Sequence, residues 1–336
     1  MKRANDLFKK YFILMFLSAS LALIFSYLFM GKEIKSSLVS ATVAIFMPPA
    51  INILDKFLFK LRIFNKLSLI VGVLVKTATV VIFLTTIIIL TIYIFYGHLA
   101  FKSIISDSRL FLGLAFGLVM FMIFSFIEEL HRIIGRKTFF DFLTGSYLRP
   151  RKVNRVFLFL DIVGSTTIAE KLTNEKFHLF INDFICDITA ILDKNNAEIY
   201  KYVGDEVIAV WNIDKKLKHE NILNSIVEIE NKISQISHNY QKKFNLVPEY
   251  RIGIHCGEVI AGEMGNIKKE LVYLGDVVNT TSRLVSIAGQ LNEKCIFSDQ
   301  AIALIRCKND PRFFKHNAVS LKGKTNTLDI YAFRTL

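Results

Sequence analysis

Val156-Phe157-Leu158-Phe159-Leu160-Asp161 is five apolar residues ended by a carboxylate. An apolar run this short, rich in large side chains, reads as a strand covered on both faces, with an acid exposed where the strand ends. Outward from it the elements alternate. A helix is predicted from about Thr166 to Leu192, capped by Ser165 or Thr166, because a hydroxyl there satisfies the first free amides. Glu198 to Val203 and Glu206 to Trp211 form a hairpin about a Gly204-Asp205 turn. A helix over about Asn221–Phe244, a strand over Tyr250–His255, a hairpin partner over Glu258–Gly262, a helix over Val277–Leu291 and strands near Ile296 and Ile330 follow. The order β-α-β-β-α-β predicts an α+β, ferredoxin-like sandwich.

This layout puts two carboxylates at neighbouring strand ends, Asp161 after the first strand and Asp205 at the hairpin tip. Singly, Asp161 is as well explained as a helix cap and Asp205 as a turn residue. Together they form an oxygen donor pair for Mg²⁺ or Mn²⁺, hard cations that share their ligands with phosphate, and the carbonyl of Ile162 adds a further donor. In Gly275-Asp276-Val277-Val278-Asn279-Thr280-Thr281-Ser282-Arg283, Asn279 and Arg283 lie four residues apart on one helical face. A guanidinium there can meet phosphate bidentately. Lys201 is on a strand and Lys322 is in a Lys-Gly-Lys turn; alone, each reads equally as a solvated surface lysine. Two acids, a lysine, an amide and an arginine are a set suited to a divalent metal with a nucleoside triphosphate.

Composition separates the chain into two parts. Of 336 residues 52% are hydrophobic and the mean hydropathy is +0.41, above the range of ordinary soluble domains. The excess lies before Glu128. Charge-free or nearly charge-free stretches over Tyr11–Met30, about Ser36–Leu54, about Val73–Tyr96 and Leu110–Ile127 are each long enough to cross a bilayer. Pro48-Pro49 kinks the second. The middle loop carries Lys56, Lys60, Arg62 and Lys66 against Asp55, which places that loop, the N-terminus and everything after Ile127 in the cytoplasm. The expected domains are four transmembrane helices over 1–127, a connecting helix or linker over 128–150, and a soluble domain over 151–336. Such a chain is a multi-pass protein of the plasma (inner) membrane, in contact with membrane lipid. Its net charge of +13 belongs to this topology and not to nucleic-acid binding. The spans hold no acid or histidine near their centres, which argues against transport. Cys186, Cys256, Cys295 and Cys307 form no CxxC pair, so they read as free thiols and not as a zinc or redox site.

Three blocks carry a family resemblance: Phe159-Leu160-Asp161-Ile162-Val163-Gly164-Ser165-Thr166, Lys201-Tyr202-Val203-Gly204-Asp205-Glu206, and Gly275 to Asn279 with Ser282-Arg283. In this order and spacing they resemble the class III nucleotidyl cyclase catalytic domain, over about Arg155–Phe333. Gly145-Ser146-Tyr147-Leu148-Arg149-Pro150 also resembles the approach to that domain in membrane-bound bacterial members. The resemblance implies an adenylate cyclase that turns ATP into 3′,5′-cyclic AMP and pyrophosphate. Asp161 and Asp205, with the carbonyl of Ile162, would hold two Mg²⁺ or Mn²⁺ ions. Lys201 would contact the purine and favour adenine, Asn279 would orient the ribose, Arg283 would stabilise the α-phosphate transition state, and Lys322 would touch the triphosphate. It also implies a homodimer, with the metal acids from one copy and the base, ribose and transition-state residues from the other.

Two positions depart from the family pattern. Val272 stands where adenylyl cyclases commonly place Asp or Thr against the adenine, and Glu258 stands where some relatives carry a phosphate-binding arginine. The first keeps a guanylate cyclase open as an alternative. A catalytically silent signalling or dimerisation module is the alternative of a different class, opposed by the intact set Asp161, Asp205, Asn279 and Arg283.

Overall fold

The computed structural model describes residues 68–105 and 133–335, except 214–216, 308 and 321–326, with scattered positions elsewhere before residue 133. The chain divides into two compact units, Met1–Arg136 and Lys137–Leu336.

In the first unit, helix α1 runs over Leu69–Ile105, about 55 Å at the rise of an α-helix. Its segment Ile70–Ile87 has a mean hydropathy of 2.2, and among the described residues it is the one helix long and apolar enough to cross a membrane. Its threonine hydroxyls turn inward: Thr77, Thr79 and Thr86 donate to the carbonyls of Val73, Val75 and Ile82 at 2.7–2.8 Å. Hydroxyls satisfied within their own helix need no water, as an apolar surrounding demands. The span expected at Val73–Tyr96 lies within α1. Those expected at 11–30, 36–54 and 110–127 fall largely outside the described residues. The connecting helix expected over Glu128–Phe142 is interrupted, because Gly135 takes φ 91°, and α2 restarts at Arg136 and ends at Leu143.

The second unit is built on β1, Arg151–Ile162. Its side chains alternate between two cores, as the strand period requires. Val156, Leu158 and Leu160 enter the larger cluster, and Phe157 and Phe159 enter the one on the opposite face. Both faces are therefore covered, which is why the sequence shows an unbroken apolar run. Around β1 follow α3 (Ser165–Lys171), α4 (Asn174–Lys194), β2 (Glu198–Val203), β3 (Glu206–Asn212), α5 (Glu220–Phe244), β4 (Tyr250–Met264), β5 (Glu270–Leu274), α6 (Asp276–Gln290), β6 (Cys295–Ser298), α7 (Asp299–Ile305), β7 (Phe313–Val319) and β8 (Leu328–Phe333). The sheet order is β2-β3-β1-β4-β6-β8-β7, with β5 paired to β4. Its first four strands have the arrangement of a βαββαβ sandwich, as the sequence implied. Helices α4 and α5 cover the larger core through Phe180, Phe184, Ile188, Ile222, Ile226 and Ile229.

Three local expectations are corrected. The helix placed over 166–192 is two helices: Leu172 is extended, and the hydroxyl of Thr173 caps α4 by accepting from the Lys176 amide at 3.3 Å. The expected caps at Ser165 and Thr166 do not form; Gly164 precedes α3 without a side-chain cap. The hairpin expected between His255 and Glu258 is instead one continuous strand, paired with β1 from Arg151↔Ala261 to Ile162↔Tyr250. Its glycines serve packing, not a turn. A Cβ at Gly253 would stand 2.7 Å from the Thr281 carbonyl, and one at Gly257 would stand 2.8 Å from Val277, so both let α6 lie against β4. The true hairpin joins β4 to β5, from Ile260↔Leu274 to Met264↔Glu270.

Candidate active site

Asp161 is the penultimate residue of β1, opposite Arg251 of β4. Leu160 pairs with Val207, so the adjoining β2–β3 turn brings Asp205 and Glu206 to the same edge. The Asp161 and Asp205 carboxyls meet there. Burial, then the charge and side-chain contact of Asp205, push the Asp161 carboxyl up to about 6, against the pull of Ile162's backbone and Arg251. Burial, then Asp161 and Asp205, push Glu206 up to about 7. One oxygen of Asp205, Oδ2, is buried with no hydrogen-bond partner. A buried, unpaired carboxylate oxygen beside another carboxylate is costly unless a cation is near.

A cavity of about 300 Å³ opens beside these acids, lined by Asp161 to Thr166, Arg251, Val285 and Ser286. Arg251 lies against α6 at Gly289, where a Cβ would stand 2.6 Å from Nη1. Among the described residues no group of three or more His, Cys, Asp or Glu side chains is placed to hold an ion by itself. The donors therefore fit a hard cation only if other oxygens, from the Ile162 carbonyl or from a phosphate, complete its shell.

The remaining predicted residues lie apart from that cavity. Asn279 and Arg283 share the outer face of α6, exposed and half-buried respectively, while Val277, Thr280, Thr281, Leu284 and Val285 bury the inner one. Lys201 on β2 is exposed, and its Nζ donates to Glu270 Oε2 on β5 at 2.7 Å. The two strands are further joined by the Tyr273 amide, which donates to the Tyr200 hydroxyl at 3.3 Å. Val272, half-buried, lies two residues after Glu270. Lys322 lies outside the described residues. Glu258 is exposed and paired with Lys152 at 2.9 Å. One chain thus brings together Asp161, Ile162 and Asp205, and separately carries Lys201, Val272, Asn279 and Arg283, none of which lines the cavity. Sequence reasoning passed over Glu206, Arg251 and Glu270. Glu206 adjoins Asp205 in the quoted block, a signal that would have found it, whereas Glu270 stands on a strand that the sequence did not reveal.

The adenylate and guanylate cyclase catalytic domain family matches over residues 150–334, and the chain belongs to that family. Adenylate cyclase 2 of Rhizobium meliloti (strain 1021) is 30% identical over 181 residues, covering 54% of this chain and 50% of that protein. Receptor-type guanylate cyclase gcy-13 of Caenorhabditis elegans is 29% identical over 163 residues, 47% of this chain and 16% of that protein. The chain thus spans half or less of the length of these curated relatives. A bacterial light-regulated adenylyl cyclase has the same fold, with a TM-score of 0.54 at 23% identity over 64% of each chain.

Proposed function

We propose that this chain is a membrane-anchored adenylate cyclase, working as a homodimer on ATP with two Mg²⁺ or Mn²⁺ ions per site. The observation that carries the reading is the half-buried acid pair Asp161–Asp205, with the buried, unpaired Oδ2 of Asp205, lying apart from the Asn279–Arg283 face of α6. Acids of one sign gathered in a half-buried edge call for cations, and a guanidinium on another face calls for a second copy to bring it to them.

In this reading Asp161, Asp205 and the Ile162 carbonyl hold the ions, and Lys322 steadies the triphosphate. The ions, when bound, supply Lewis-acid polarisation of the ribose hydroxyl and of the α-phosphate. Lys201 and its surroundings, including Val272, seat the adenine, and Asn279 orients the ribose so that its 3′-oxygen lines up with the α-phosphorus. The new O3′–P bond forms as the bond to the pyrophosphate oxygen breaks, and the hydroxyl proton leaves to solvent. Arg283 meets the charge that builds on the α-phosphate oxygens. Residues 1–127 would form four spans, 128–150 the link and 151–336 the catalytic domain, with the N-terminus and that domain on the cytoplasmic side of the plasma membrane. The apolar α1 and the basic loop before it support this placement.

The test is product formation from MgATP, MnATP and MnGTP by wild type, Asp161→Ala, Arg283→Ala and the two variants co-expressed. Each variant alone should lose roughly 10²–10³-fold in rate. Co-expression should return roughly a quarter of wild-type activity, because half of randomly paired dimers are mixed and each keeps one intact site. An Asp161→Ala variant with full activity would falsify the site, and absence of recovery would overturn the shared one. The second reading, a guanylate cyclase, draws on Val272, which offers the base no polar atom; cyclic GMP as the main product would select it.

A further inference from the structure

We propose that Glu270 is the base-selecting partner of Lys201, supplying from β5 the acceptor for the purine amine that Val272 does not offer. The inference rests on the cyclase reading and names a residue of its base pocket that neither the motifs nor the family match assigned.

Side chains of β5 alternate. Leu271 and Tyr273 are buried in the second core, so Glu270, Val272 and Leu274 project from the opposite face. A carboxylate two residues from Val272 therefore opens onto the same space. Glu270 also carries two cations: Oε2 is 2.7 Å from Lys201 and Oε1 is 2.7 Å from Lys268. The lysines hold its carboxyl well below the usual carboxylate range, Lys201 foremost, so it stays an acceptor across physiological pH. Exposed ion pairs of this kind add little to stability, and acidic residues are poor strand formers. Fold stability alone gives no account of a Glu at this position.

Chemistry does. A lysine ammonium only donates and a carboxylate only accepts. Held side by side, they match the edge of a 6-aminopurine, where a ring nitrogen accepts beside an amine that donates. In a 6-oxopurine those two positions exchange roles, so Lys201 would meet an N–H and Glu270 a carbonyl oxygen, each a mismatch. Before nucleotide binds, the two groups satisfy one another. On binding, the base edge is shared between them, and Lys268 keeps the carboxylate in place.

The experiment measures kcat/KM for MnATP and MnGTP in the full-length protein, for wild type, Glu270→Gln, Glu270→Ala, and Glu270→Ala combined with Val272→Asp. Fluorescent ATP and GTP analogues provide equilibrium binding with Mn²⁺ alongside. Glu270→Gln should lower the ATP-over-GTP ratio about tenfold or more, the usual scale for losing a charged hydrogen-bond partner. Val272→Asp should restore most of the ratio lost in Glu270→Ala. A ratio within twofold of wild type in both single variants, or an equal loss for both nucleotides, overturns the proposal and leaves Glu270 a structural strut. If wild type forms neither product, the cyclase reading fails separately. Glu270-dependent preference for the ATP analogue would then still support the base assignment, and indifferent binding would sink it.

Discussion

The two halves of the candidate site are built on opposite electrostatic plans. At the end of β1, acids of one sign are gathered and partly buried, so Asp161 and Glu206 are both held above their ordinary range. At β2, β5 and α6 the charges are exposed or half-buried and, where Lys201 meets Glu270, already neutralised. The first half is unsatisfied without a cation. The second is content in water and gains a task only when a ligand, or another copy of the chain, arrives. Preorganised charge with a stability penalty, against solvated charge without one, is the difference the mutations should expose.

The largest effect is expected where the penalty is stored. Asp205→Asn removes one charge from the acid edge and gives the buried Oδ2 position a group that need not be ionised. Cyclase activity should fall by at least about a hundredfold. The metal-free protein should at the same time melt about 2–4 °C higher, the shift that ~1 kcal/mol produces in a domain of this size. A variant that loses both activity and stability would break the comparison, by showing that the acids hold the fold together.

The same penalty has a pH signature. Asp161 and Glu206 have folded-state values above their ordinary ones, about 6 against 3.8 and about 7 against 4.5. Between those limits the folded chain binds more protons than the unfolded one, so stability falls as pH rises. Without divalent metal, the melting temperature should decline from about pH 4 to about pH 7 through these groups. Asp205→Asn should flatten that decline, and saturating Mn²⁺ should raise the melting temperature most at the upper end. A wild-type profile that rises across this interval and is unaltered by Asp205→Asn would contradict the assignment.

How far these halves could be read beforehand differs for physical reasons. The β1 block announces itself, since burial on both faces forces an apolar run and the acid stands out at its end. The sandwich order followed from that run and from the hairpin about Gly204-Asp205. The placement of Asp161 beside Asp205 was legible too, because strand pairing fixes it. Less legible was β7, whose Phe313–Val319 is largely exposed at the sheet edge and shows neither apolar periodicity nor turn punctuation. The reading of Cys256-Gly257 as a turn failed because a glycine that admits a helix looks, in sequence, like one that turns a chain. Glu270 was invisible for another reason: its role depends on a strand that was not anticipated and on a lysine 69 residues away.

Another glycine of that strand, Gly253, supplies a third test, which acts on the second half through its support. At Gly253 an added Cβ would meet backbone atoms of α6, the Thr281 carbonyl at 2.7 Å and the Val285 amide at 2.9 Å. Backbone cannot swing aside as a flexible side chain would, so α6 must shift. Gly253→Ala should cost about 1–3 kcal/mol, the range for overpacking, and should lower kcat by displacing Asn279 and Arg283 together. Metal affinity, read from Mn²⁺ stabilisation, should change less, because Asp161 and Asp205 are carried by β1 and the β2–β3 turn and not by α6. Equal losses in kcat and in Mn²⁺ stabilisation would show the halves to be mechanically one.

The smallest effect is expected at Glu258, where some relatives place an arginine for phosphate. Here the carboxylate pairs with Lys152 at 2.9 Å, and both side chains are more than half exposed. Water screens such a pair, and ordering two long side chains offsets most of the Coulomb gain, so Glu258→Ala should change stability by no more than about 0.5 kcal/mol. Its activity should stay within about twofold, since an acid repels phosphate and its removal takes away no favourable contact. A rate gain from Glu258→Arg with no change on Glu258→Ala would locate the triphosphate beside the Glu258 segment of β4. A tenfold loss in Glu258→Ala would instead make this exposed acid part of the penalised half, and the division between gathered and solvated charge would have to be redrawn along β4.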